Sequence, residues 1–103
     1  MVAPQLTPEQ RAAALVKAAE SRRARAEIKS LLRDGSITFE ELVDRAESDP
    51  MVAGMKVKAV LASLPGLGKV KTYRLMEEIG IAENRRLRGL GSRQWTALRE
   101  SLG

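Results

Sequence analysis

There is no cysteine and no histidine in these 103 residues, and only one Phe, one Tyr and one Trp. Without thiols the chain has no disulfides and no thiolate nucleophile. Without imidazole it also lacks the commonest general base and the usual zinc sites. The shortage of aromatics removes the stacking surface typical of proteins that bind single strands, which favours a duplex if the partner is nucleic acid. Long apolar runs are missing too. None approaches the roughly 20 residues of a membrane span, and Met1-Val2-Ala3-Pro4 does not open as a signal peptide would, so a cytoplasmic location without membrane contact is expected. A chain of this length has room for one core, and residues 1–103 read as a single domain.

Charge is abundant and unevenly placed. The net charge is +5 and the isoelectric point about 10.1. Residues 11–33 hold seven Lys/Arg against two Glu, residues 34–55 one Arg against six acids, and residues 56–103 ten Lys/Arg against four Glu. Two basic blocks therefore flank an acidic one. Solubility alone accounts for +5, but a basic face with an acidic remainder suits an oriented polyanion binder.

Local patterning predicts an all-α chain. Residues 1–7 read as a flexible arm. Thr7 as cap, Pro8 at the first helical position and Gln10 in a capping box then open a long basic helix over residues 8–34, stopped at Asp34-Gly35. Ile28, Leu31 and Leu32 form its packing face, whereas its first half is mostly Ala with Leu15 and Val16 and is expected either to project from the body or to be disordered when free. Arg22, Arg25, Lys29 and Arg33 make one stripe, with Arg23 alongside, and the stripe is either a solvated face or a contact surface. Residues 36–55 read as an acidic scaffold. Thr38 and Glu41 form a second capping box, Ile37 and Leu42 a hydrophobic staple, Phe39, Leu42, Val43 and Ala46 an inner face, and Asp49-Pro50 a break before a helical turn at Met51–Met55.

Residues 56–103 open with a helix from Val57 to Leu64, using Val57, Val60, Leu61 and Leu64 as core. The next stretch, Leu64-Pro65-Gly66-Leu67-Gly68, reads as a hairpin in which Gly66 and Gly68 supply positive φ and Leu67 points back to the core. A helix from Lys69 follows, carrying Leu75, Met76 and Ile79 inward and ending at Gly80. Amides freed by a glycine turn at a helix start favour an anion, and Lys69 and Lys71 add charge there; a phosphate is the expected ligand. Ile81–Gly91 is a compact connector with Leu87 and Leu90 inward and Arg85, Arg86 and Arg88 outside, because three arginines in four positions are costly to bury. Ser92 is expected to cap a last helix, with Trp95, Leu98 and Leu102 on one face and Trp95 as a core-edge residue rather than a stacking platform.

The stretch GLGKVKTYRLMEEIGIAENRRLRGLGSRQWTAL resembles the helix-two-turn-helix element of formamidopyrimidine-DNA glycosylases and of a basic small-subunit ribosomal protein. LPGLGKVKTYRLMEEIG alone is similar to the helix-hairpin-helix motif of DNA repair proteins. Over nearly all of residues 3–103 the chain resembles the actinobacterial integration host factor family, through PQLTPEQRAAALVKAAESRRARAEIKSLL, MKVKAVLASLPGLGKVK and RRLRGLG. One departure is Trp95, where the family pattern is basic. The resemblance implies a long N-terminal helix followed by a compact helical domain with a helix-two-turn-helix element. It also implies a monomeric, nucleoid-associated protein that binds double-stranded DNA with little sequence preference, bends or compacts it, and assists phage integrase.

Carried onto this chain, the resemblance places phosphates on Gly66, Gly68, Lys69, Arg85, Arg86, Arg88 and Arg93, with further contacts from Arg22, Arg23 and Arg25, and Lys71 joins them as the second lysine of the glycine turn. Pro65, at the hairpin's turn, either fixes φ or acts as a wedge against base steps. No cofactor or metal is implied and no catalysis is expected, since the glycosylases use an N-terminal proline amine and a zinc finger or equivalent, whereas here residue 2 is Val, Pro4 is internal and Cys is absent. No nucleophile and base pair can be named either. The rival expectation is a ribosome or structured-RNA binder.

Overall fold

A computed structural model describes residues 6–102. The arm expected at residues 1–7 therefore falls mostly outside the described residues. Helix α1 spans Pro8–Arg33 and begins as its sequence predicts: Thr7 Oγ1 accepts from the Gln10 amide at 3.1 Å and Gln10 Oε1 from the Thr7 amide at 2.9 Å. It ends where Gly35 takes φ 79°, with the Gly35 amide donating to the Leu32 carbonyl at 3.3 Å and the Ser36 amide to the Leu31 carbonyl at 3.0 Å. These two bonds are the Schellman closure. Beside them Ser36 donates to the Asp34 carboxyl, through its hydroxyl and then its amide, and holds it below the ordinary carboxylate range.

At 1.5 Å per residue the 26-residue α1 is about 39 Å long, more than the body it packs on can cover. Ile28 and Leu32 are buried, whereas every residue from 8 to 18 is exposed. The Cα radius of gyration, 16.0 Å, reflects this projection; a compact 100-residue domain has about 13 Å. Helix α2 (Phe39–Ala46) starts at the Thr38–Glu41 capping box, and Ile37 and Leu42 beneath it are both buried. The short α3 (Pro50–Ala53) starts one residue before the turn expected at Met51, because Asp49 is its cap: its Oδ1 accepts from the Met51 amide at 3.0 Å.

Helices α4 (Val57–Ser63) and α5 (Gly68–Ile79) pack on each other across the hairpin, and α4 also packs on α1. Gly80 ends α5 at φ 86°, its left-handed turn letting the Ile81 amide reach the Met76 carbonyl at 2.8 Å. A single 3₁₀ turn (Leu87–Gly89) lies in the connector before α6 (Ser92–Leu102). The expected cap at Ser92 is corrected: Ser92 is the first residue of α6, and Gly91 holds the cap position. The Gly91 carbonyl accepts from the Trp95 amide at 2.9 Å, and Gln94 Oε1 reaches back to the Gly91 amide at 3.0 Å. Gln94, three residues on, makes the reciprocal half of a capping box by accepting from the cap's own amide, and glycine is among the residues that suit a cap position.

One core joins these elements, with Leu32, Leu42, Val52, Val57, Val60, Leu61 and Leu98 fully enclosed. Burial of a side chain of this size stabilises by about 1.5–3 kcal/mol. Trp95 lies at the edge of this core as expected, 5.2 Å from Phe39 between ring centroids, with the Arg99 guanidinium 5.7 Å above it. Arg99 also pairs with Glu40 at 2.8 Å, so one scaffold carboxylate turns toward a cation of α6 rather than away from the basic segments. Among the described residues no helix is long and apolar enough to cross a membrane.

The contact that matters most for the surface is between distant segments. Lys56 and Arg86 form an antiparallel bridge, with the Val57 amide donating to the Arg85 carbonyl at 2.9 Å and the Leu87 amide to the Met55 carbonyl at 2.9 Å. The arginine connector is thereby stitched to the start of α4.

Candidate nucleic-acid interface

The hairpin's shape follows from its residues. The Leu67 amide donates to the Leu64 carbonyl at 3.3 Å, closing a four-residue turn with Pro65 second and Gly66, at φ 79°, third. That is the pattern of a type II turn, in which proline presets one φ and glycine supplies the positive one. Gly68 is also left-handed, at φ 68°, and starts α5, one residue earlier than expected. A Cβ placed on Gly66 or Gly68 would meet nothing within 4 Å. The glycines are therefore required by conformation, and the space above them is open to another molecule. No side chain caps α5, so its first-turn amides are left for an outside acceptor. Leu67 packs against the core and Pro65 is exposed.

The two lysines of this turn differ. Lys71 Nζ folds back to the Gly66 carbonyl at 3.4 Å, while Lys69 lies over the groove between α4 and α5.

The connector arginines also separate. Arg85 is half-buried, its side chain wrapped against Gly89 with Nη1 donating to the Gly89 carbonyl at 3.0 Å. The expectation that all three stay outside is thus corrected for Arg85, whose aliphatic stem covers the 3₁₀ turn while its charged end satisfies a turn carbonyl. Arg86 is exposed and donates through Nη1 to the carbonyl of Gly54. Arg88 is exposed with its Nη1 3.4 Å from where a Cβ on Gly54 would lie. Both converge on Gly54, which the sequence presents only as part of a helical turn. Arg93 is exposed in the first turn of α6, where the helix dipole disfavours a cation, so its position does not serve the helix.

Two concavities join these parts. One, of about 270 Å³ between α1 and the start of α4, is lined by Arg25, Lys29, Lys56 and Arg86. The other, of about 440 Å³ between α4 and α5, is lined by Lys56, Lys58 and Lys69 with Ala59, Ala62 and Tyr73. Lys56 and Ala59 belong to both. Six cations from α1, the connector, α4 and the hairpin therefore follow one continuous line, and no carboxylate lines either concavity. Lys58 does pair with Glu83 at 3.7 Å, but both ends are exposed and such a pair is weak. Arg22 and Arg23 are exposed on α1 and do not line this path.

Sequence reasoning left Lys56 and Lys58 out of the site. The available signal was their alternation about Val57, which is fully buried and so turns both lysines outward.

Comparison with known proteins fits this geometry. Residues 32–102 match the S13-like H2TH domain family. The integration host factor of Mycobacterium tuberculosis (strain ATCC 25618 / H37Rv) is 54% identical over 103 residues, covering 100% of this chain and 98% of that protein. The integration host factor of Streptomyces coelicolor is 48% identical, covering 100% of this chain and 96% of that protein. A solved structure of sIHF bound to an 8 bp palindromic DNA superposes with a TM-score of 0.80 at 44% identity, covering 84% of this chain and 98% of that one.

Proposed function

The chain belongs to the integration host factor family of actinobacteria, and from that premise we propose that it is a monomeric, nucleoid-associated architectural protein of the cytoplasm. It holds duplex DNA by its backbone phosphates with little sequence preference, bends or compacts it, and by that bend assists phage integrase complexes. The observation that carries this reading is the continuous basic line from Arg25 and Lys29 through Arg86, Lys56 and Lys58 to Lys69, ending at the open glycine hairpin. A polyanion with regularly spaced phosphates suits such a line, and the sIHF structure with DNA supports DNA as that polyanion.

In this role the amides at Gly66 and Gly68, with Lys69 and Lys71, take one phosphate group. Arg85, Arg86, Arg88 and Arg93 take others along the connector and α6, and Arg22, Arg23 and Arg25 add contacts from α1. These cations stand on separate elements of the fold, and a duplex that bends toward the body reaches more of them than a straight one. The elastic cost of bending is of order 1–6 kcal/mol for 40–90° and is offset by the added contacts.

The match to an S13-like domain favours one second reading, a structured-RNA or ribosome binder. One titration separates the two: a short duplex DNA carrying end labels, followed by gel shift and by end-to-end energy transfer, with equal-length duplex RNA as competitor. Binding of DNA with shortened end-to-end distance, and weak competition by RNA, is the expected result. Preference for the RNA duplex, whose A-form phosphates are spaced differently, overturns the DNA reading.

A further inference from the structure

We propose, on the reading that the basic line holds duplex DNA, that the groove between α4 and α5 receives one unpaired nucleotide, its base stacked on Tyr73 and its flanking phosphates held by Lys56, Lys58 and Lys69. Tyr73 is 54% exposed on α5, between the buried Thr72 and Met76, so its ring stands in water beside a core that leaves it no place. Across from it Ala59 and Ala62, one turn apart on α4, form a floor of small side chains, and the groove's volume of about 440 Å³ admits a nucleotide. Every charged residue lining it is a lysine. A neighbouring cavity shares Tyr73 and Lys58 with the groove but is lined as well by Glu77 and Glu83, whose charge repels phosphate and makes the α4–α5 groove the better place for a strand.

An acidic peptide would also meet complementary charge, but the groove is continuous with the basic line through Lys56 and Ala59. A strand already held on that line delivers a nucleotide to Tyr73 without a second binding event. The chain's one tyrosine serves one base, which is consistent with the shortage of aromatics that argues against single-strand binding. Stacking is tolerant of sequence because every base presents a π face.

The test uses the full chain and three duplexes of equal length: fully paired, carrying a one-nucleotide 2-aminopurine bulge, and carrying an abasic bulge that keeps the kink without the base. The expected result is roughly tenfold tighter binding of the base-bearing bulge than of the paired duplex, the order that one stacked base provides. Its 2-aminopurine fluorescence should be quenched on binding. Tyr73→Phe should keep the preference and the quenching. Tyr73→Ala should bring the bulged duplex to the level of the paired one, both measured with that variant so that any general loss of affinity cancels, while the variant still melts cooperatively. Equal affinity for bulged and paired DNA overturns the proposal. So does a preference that survives in Tyr73→Ala or that the abasic bulge shares, since either traces to DNA flexibility. Displacement of the bulged duplex by a Glu-rich peptide that crosslinks at Tyr73, without any bulge preference, assigns the groove to protein instead. Failure to bind even the paired duplex defeats the underlying DNA reading, a result distinct from all of these.

Discussion

Arg85, Arg86 and Arg88 fall within four consecutive positions but have different surroundings. Arg88 lies exposed over Gly54 with no hydrogen bond of its own to the body, so Arg88→Ala should weaken DNA binding and leave the melting temperature unchanged. Arg86 donates to the Gly54 carbonyl and Arg85 to that of Gly89, so their alanine variants should weaken binding and also lose about 1 kcal/mol of stability. For a domain of this size that is about 4–8 °C in Tm. Gel shifts paired with circular dichroism melts check the ranking, and equal melting temperatures for all three variants would remove the distinction. Pro65 is tested in the same way. It is exposed beside the left-handed Gly66, and if it acts as a wedge against a base step rather than only fixing φ, Pro65→Ala should reduce bending at saturating protein, read by energy transfer, while affinity largely survives. The accompanying stability cost is about 0.4–1 kcal/mol from unfolded-state entropy. Unchanged bending would leave Pro65 only its role of fixing φ.

At the scale of elements, short helices depend on their ends. Helix α2 has eight residues and is held at its start by the Glu41 amide donating to Thr38 Oγ1 at 3.1 Å and the Thr38 amide donating to Glu41 Oε1 at 3.2 Å. Thr38→Ala removes the first bond and loosens the second, and should cost about 1 kcal/mol in chemical denaturation with DNA affinity unchanged. A large loss of affinity would mean that the scaffold orients the basic face more tightly than its position suggests. Helix α1 raises the opposite question, since its first half contributes no buried side chain. Joint replacement of Arg22, Arg23 and Arg25 by alanine should weaken DNA binding less than joint replacement of Arg85, Arg86 and Arg88. Only Arg25 of the first set lines the basic path, whereas the connector is fixed to α4 by the Lys56–Arg86 bridge. Equal losses from the two triple variants, measured at one salt concentration, would reverse that order.

For the whole molecule the governing quantity is the number of phosphates neutralised together. Residues 56–103 hold ten Lys/Arg against four Glu, and the basic path carries six cations across four parts of the fold. If roughly six phosphates are engaged, the logarithm of the binding constant should fall against the logarithm of salt concentration with a slope near −5 on B-DNA. Scrambling the DNA at constant length should change affinity little beyond the effect of flexible or narrow-groove sequences. A flat salt response would contradict a phosphate-based mode of binding.

The sequence by itself determined the helices, most of their ends and the inward face of each. Caps such as Thr7 and Thr38, the left-handed Gly35, Gly66, Gly68 and Gly80, and the 3.6-residue spacing of apolar side chains act within a few residues of one another. A local pattern therefore carries them. Thr72 is an exception: it is buried in α5 without a partner for its hydroxyl, and a polar side chain gives no periodic signal of burial. The exchange of Ser92 for Gly91 as a cap was missed because either residue suits that position, and the Gln94 side chain decided between them. What only the tertiary structure decided is which cations share a surface. Gly54 and Arg86 are 32 residues apart, and Arg25, Lys56 and Lys69 come from three different segments. Their meeting depends on how α1, α4 and the connector pack around Val57, Val60 and Leu61. Long-range packing of apolar faces sets that arrangement, and charge spacing along the chain does not encode it.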